Sequence, residues 1–111
     1  MMMITDIVVA GESARLGQPE VRVGIMPGSG GTQRLPRAIG KYKAMKFLLT
    51  GDWITGRQAH DMGLVSEVVA DDQVEARAIA LAAQIAALPP LAVMAIKEVV
   101  LAGAEGTVRF I

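Results

Sequence analysis

An α/β fold is predicted for this chain, and three observations predict it. Residues 4–10 (ITDIVVA) are β-branched and nearly continuous in apolar character, as in a strand buried on both faces. A glycine-rich stretch from Gly24 to Arg34 runs directly into a helical pattern. From Asp72 onward, Val74, Ala78, Leu81, Ile85 and Leu88 fall at helical spacing on one face.

Taken in order, Gly11 stops the first strand, and residues 14–17 form a second short extended piece. Pro19 has no N–H for a central ladder and biases Gln18 toward extended backbone, which puts Glu20 at a strand edge or in a loop. Val21-Arg22-Val23 alternates and reads as strand. Pro36 divides the next helical pattern, predicting one short turn before it and another after it, ending at Gly40. Residues 41–50 read as a helix with Ala44, Phe47 and Leu48 on one face, stopped by Gly51. Trp53 reads as a packing anchor in a turn. Thr55-Gly56-Arg57-Gln58 is a capping-box pattern for a helix ending at Gly63, and residues 65–69 read as a short strand. Asp72-Gln73-Val74-Glu75 starts a long amphipathic helix that Pro89-Pro90 ends, and Pro90 suits the first turn of the following one.

Composition excludes several functions. Lys+Arg and Asp+Glu both number 11, so bulk charge draws the chain to neither nucleic acid nor a membrane surface. There is no cysteine, hence no thiol chemistry and no cysteine-rich metal site, which suits a reducing cytoplasm. The apolar N-terminus lacks a positive leader and a small-residue cleavage site and carries Asp6. No apolar run reaches the roughly 20 residues of a membrane span, so a soluble protein is expected. With 52% apolar but only 4% aromatic residues, much of the apolar surface is expected to meet another chain or another part of its own.

Chemistry is most legible between Gly17 and Arg34, where a carboxylate beside a proline precedes a glycine-rich turn at a helix start. Backbone N–H groups of such a turn can face an anion or a water while the carboxylate acts as acid or base. The simpler reading, a tight turn and a solvated Glu20, is preferred on composition alone. Gly28-Ser29-Gly30-Gly31 fits neither a Walker loop nor a dinucleotide fingerprint. His60, the single histidine, reads as a helix-surface residue rather than a metal ligand. The methionines, among them Met45, Met62 and Met94, read as core filling before an acyl pocket. Arg34, Arg37, Lys41, Lys43 and Lys46 read as a solvated basic helix face.

Several motifs in a fixed order then resemble the second half of the enoyl-CoA hydratases of the crotonase superfamily: the Asp-Ile strand, Gly-Gln-Pro-Glu, Gly-Ile-Met-Pro-Gly-Ser-Gly-Gly-Thr-Gln-Arg-Leu, Leu-Thr-Gly and Gly-Leu-Val. The likeness runs over about residues 6–70, with a similar helical layout after them. It implies a partial ClpP/crotonase-like spiral (ββα) core in residues 1–70 and the start of a helical oligomerisation region in residues 71–111. It also implies that Glu20 is one of two catalytic glutamates and that the Gly28 N–H helps hold the catalytic water. The two glutamates add that water syn across a 2-enoyl-CoA thioester while two backbone N–H groups stabilise the enolate oxygen. No cofactor and no metal are implied, because coenzyme A is part of the substrate.

The same resemblance places the chain in the C-terminal half of such a protein. The other glutamate, in a Gly-Gly-Cys-Glu-like motif, and both oxyanion-hole segments are expected upstream of Met1, and the last helices beyond Ile111. The isolated chain is therefore expected to be inactive. The partners implied are an acyl-CoA thioester and further copies in a trimer or hexamer, with no nucleic acid and no membrane, in the cytoplasm. A double-bond isomerase and a non-catalytic interaction module are the alternatives.

Overall fold

The structure, a computed structural model, describes residues 6–24 and 31–104. Parts of the expectations above fall outside them: the start of the first strand, the glycine-rich turn with Gly28, Met1–Met3 and Met26, and the last residues from Glu105. The chain divides into two compact units, Met1–Arg77 and Ala78–Ile111.

In the first unit, strand β1 (Val9–Gly11) pairs in parallel with β4 (Glu67–Val69), with Val9 opposite Glu67 and Gly11 opposite Val69. Strand β2 (Arg15–Gly17) pairs antiparallel with β3 (Trp53–Thr55), with Leu16 opposite Ile54 and Gly17 opposite Trp53. Trp53 is thus a strand residue, not a turn residue, because its backbone completes the ladder beside Gly17. Between the β2 and β3 partners lie helices α1 (Gly31–Ile39) and α2 (Lys41–Thr50).

Helix α1 runs through Pro36 without a break, where the sequence predicts two separate turns. A proline inside a helix removes one bond, here the one that would reach the Thr32 carbonyl. Leu35, only 1% exposed against Ala44 and Phe47 of α2, gives that helix a packed face which outweighs the loss. Gly40, at φ 88°, then turns the chain into α2, and Gly51, at φ 64°, ends α2 by donating its N–H to the Phe47 carbonyl. The predicted face of α2 is the one that packs: Ala44 and Phe47 are buried and Leu48 lies against them.

Helix α3 (Gly56–Met62) opens with a complete capping box, in which Thr55 Oγ1 accepts from the Gln58 N–H and Gln58 Oε1 accepts from the Thr55 N–H. It ends at Gly63 in the left-handed region, as the sequence predicts. Its first residue is pressed against β1, since a Cβ on Gly56 would fall 1.9 Å from the Gly11 carbonyl oxygen. Ala10, Ala59 and Val65 form one small core and Leu35, Ala44 and Phe47 another. Ile54 and Leu64 pack against both, joining sheet to helices.

Polar contacts tie the strand ends together. Asp71, in a short 3-10 turn (Asp71–Gln73), accepts from the Ser13 N–H at 3.0 Å and from the Ser13 hydroxyl. These bonds, the side-chain one first, lower the Asp71 pKa. Arg77 grips Glu67 of β4 in a two-pronged contact at 2.7 and 2.9 Å, which lowers the Glu67 pKa and raises that of Arg77.

Helix α4 (Val74–Ala86) crosses from the first unit into the second, where α5 (Pro90–Ala104) begins at Pro90 as the sequence predicts. Along the predicted apolar face of α4, Val74, Leu81 and Ile85 are half-buried while Ala78 and Leu88 are exposed. Leu91, Met94, Ile96 and Val99 of α5 are exposed. Among the described residues no single helix is long and apolar enough to cross a membrane.

Candidate active site

Glu20 sits in a 3-10 turn (Pro19–Val23) one residue past the end of β2, the loop placement of the two that the sequence allows. The alternating Val21-Arg22-Val23 adopts this turn because Pro19, at its first position, fixes φ there, and Gly24, at φ 79°, closes it by donating its N–H to the carbonyls of Glu20 and Val21. Gln18 before it, at φ −127° and ψ 72°, is kept out of the helical region by the proline that follows but is not as fully extended as the sequence predicts. One short 3-10 turn of backbone thus holds the carboxylate between a proline and a left-handed glycine.

The Glu20 side chain is half-buried. The Gln18 amide lies 3.3 Å from both carboxylate oxygens and, with its nitrogen on that side, donates to each. Among the described residues no Lys or Arg forms an ion pair with Glu20. A carboxylate held by a neutral amide and by no fixed cation keeps lone pairs for a proton or a water. Gly28, the other residue named from the sequence, lies outside the described residues.

The flanks of the turn are anchored on the segment 51–53. On the upstream side, Gly17 lies beneath the Trp53 ring so closely that a Cβ there would stand 2.5 Å from Cε3. The Arg15 guanidinium sits over the same ring, 5.4 Å from its centre. On the downstream side, Arg22 Nη2 bonds Asp52 Oδ1 at 2.9 Å. Gly51 lies where a Cβ would come within 3.0 Å of both Val21 Cγ1 and Arg22 Cγ. Sequence reasoning missed Arg22 and Asp52 as partners. The one signal available was that Asp52 and Trp53 follow directly on the glycine that ends α2.

The remaining candidates lie elsewhere. His60 is on the exposed side of α3, its Nδ1 3.8 Å from Asp61 Oδ1. Among the described residues no group of three or more His, Asp or Glu side chains converges as metal ligands would. Arg34, Arg37, Lys41, Lys43 and Lys46 are all exposed, the solvated face that the sequence predicts. Met45 and Met94 are exposed rather than core residues, and Met62 is half-buried.

Comparison with known proteins bears on the family and the fold. Residues 1–109 match the family model of enoyl-CoA hydratase/isomerase. The chain is 49% identical over 98 residues to the 2,3-dehydroadipyl-CoA hydratase of Escherichia coli, covering 88% of this chain and 38% of that protein. It is 47% identical over 109 residues to a probable mitochondrial enoyl-CoA hydratase of Dictyostelium discoideum, covering 98% of this chain and 39% of that one. Among solved structures, an enoyl-CoA hydratase from Bacillus anthracis superposes with a TM-score of 0.89 at 42% identity, over 93% of this chain and 40% of that one. The chain therefore spans about two-fifths of the length of the curated relatives it matches. The fold they share is the crotonase-type α/β fold that the motifs predict.

Proposed function

Since the chain belongs to the enoyl-CoA hydratase/isomerase family, we propose that it is the C-terminal part of an enoyl-CoA hydratase, a lyase that adds water syn across the double bond of a 2-enoyl-CoA thioester. Glu20 is one of the two carboxylates that activate the water and return its proton, and the Gly28 N–H helps to hold that water. The second carboxylate and the oxyanion donors come from a part of the protein outside this sequence. The single observation that carries this reading is the Gln18-Pro19-Glu20 turn, which presents a half-buried carboxylate with no ion-pair partner among the described residues. The relatives' names place hydratases at 47–49% identity over most of the chain.

Coenzyme A enters as part of the substrate, so no separate cofactor and no metal are needed. The exposed apolar residues of α5 support assembly into a homo-oligomer, a trimer or hexamer. A cysteine-free chain is compatible with the cytoplasm, where we place it.

The test is hydration of crotonyl-CoA by the complete protein and by its Glu20→Gln variant, with a 3-enoyl-CoA substrate run alongside. Removing a general acid or base lowers kcat by about 10²- to 10⁴-fold, and a loss of that size is expected. Full hydration by the variant refutes the role of Glu20. Double-bond migration without hydration makes the protein an isomerase. The 111-residue chain by itself is expected to be inactive, and adding the upstream part to restore hydration.

A further inference from the structure

The turn that carries Glu20 is gripped on both sides by three consecutive residues from a distant part of the chain. On one side the Trp53 ring closes over Gly17, the residue before Gln18, and β2 and β3 pair Gly17 with Trp53. On the other side Asp52 holds Arg22, two residues past Glu20, at 2.9 Å, and the Val21 and Arg22 side chains fill the space that a Cβ at Gly51 would need. Gln18, Pro19 and Glu20 are left bridging the two anchor points.

We propose that Asp52 and Trp53 are positioning residues for the reaction: together they form a clamp that sets where the Glu20 carboxylate stands, without touching substrate. This inference rests on the reading of Glu20 as a catalytic carboxylate. The physical reason lies in what each anchor restrains. Pro19 and Gly24 fix the shape of the turn, while its place relative to the rest of the fold is set by its packing on α2 and by the segment 51–53. An exposed ion pair contributes little to stability, and Trp53 is 47% exposed, so neither contact is explained well as a stabiliser of the core. Both act on the one segment whose displacement matters most, since a shift of about 1 Å in a reacting group can lower the rate by about a hundredfold.

The experiment measures kcat and KM for crotonyl-CoA hydration in the complete protein. The variants are Trp53→Leu, Trp53→Phe, Asp52→Asn, the swap Arg22→Asp with Asp52→Arg, and Glu20→Gln. Asp52 and Trp53 are exposed in this chain, and a melting curve for each variant checks that it folds. The expected result is a fall in kcat of about tenfold or more in Trp53→Leu and Asp52→Asn. KM should stay within about twofold of the parent, as for a change that shifts the carboxylate and leaves ground-state binding alone. Trp53→Phe and the charge swap should recover most of the lost kcat. If Glu20→Gln is inactive while Trp53→Leu and Asp52→Asn keep the parental kcat, the clamp is refuted and the role of Glu20 stands. A loss of kcat that neither rescue variant restores also refutes it. If Glu20→Gln remains fully active, the reading of Glu20 falls, and the clamp falls with it.

Discussion

The Trp53 indole occupies the space that a side chain at Gly17 would need, with Cε3 and Cδ2 2.5 and 2.8 Å from where a Cβ would be. Gly17→Ala must therefore push the ring aside. The ring is half exposed and has somewhere to go, so the expected cost is about 1–2 kcal/mol rather than unfolding. Trp53 is the single tryptophan of this sequence, so the fluorescence of the 111-residue chain reports the displacement directly. A red-shifted emission with a modestly lowered melting temperature is expected, and an unchanged spectrum would contradict the packing described.

Gly56→Ala should be the more damaging of the two alanine substitutions. There the added carbon would stand 1.9 Å from the Gly11 oxygen and 3.0 Å from its carbonyl carbon, both backbone atoms of β1. Backbone in a paired strand cannot swing away as an indole can, so α3 must part from the sheet. A loss of about 3 kcal/mol or more is expected in chemical denaturation. A variant as stable as Gly17→Ala would show that the close approach is not a real constraint.

Thr55→Ala should remove the capping box at the start of α3, leaving the Gln58 N–H without its acceptor. The expected cost is about 1 kcal/mol, with Thr55→Ser nearly neutral because it keeps the oxygen. Amide hydrogen exchange confined to the first turn of α3 is the sharpest measure.

Stability should also depend on acid in a particular window. Glu67 and Asp71 have folded pKa values below their ordinary 4.5 and 3.8, so the folded state binds fewer protons than the unfolded state there. Their contribution is complete above pH of about 5 and is lost as pH falls through the lowered folded values. Glu67→Gln should flatten the part of the acid limb owed to the Arg77 contact, and Asp71→Asn the part owed to Ser13. Denaturation midpoints taken between pH 3 and 7 test both, and identical acid limbs in parent and variants would exclude the linkage.

How far the fold was legible differs from element to element, for physical reasons. The caps at Thr55, Gly51 and Gly63 were readable because each is a hydrogen-bonding arrangement among near neighbours, and the start at Pro90 because its ring fixes a helical φ and its missing N–H costs nothing in the first turn. The strand expected at Val21-Arg22-Val23 was not formed, because alternation makes a strand only where a partner edge is offered, and Pro19 and Gly24 curl this piece first. The break expected at Pro36 was overridden by the packing of Leu35 against α2. Of the candidate site, Glu20 was marked by its motif, whereas the residues that hold its turn were not.

By itself the sequence determined the local chemistry: the helix ends, the apolar faces, the proline-fixed carboxylate and the family those motifs belong to. Only the tertiary structure decided which distant pieces meet. It set β1 beside β4, Ser13 under Asp71, and Arg22 against Asp52 with Trp53 over Gly17. Those partners stand 30 to 58 residues apart in the polar pairs, and neither member of a pair identifies the other from its local sequence. Caps and turns are closed by bonds between near neighbours, while such long-range contacts appear only after the loops between them have closed and the apolar faces have packed.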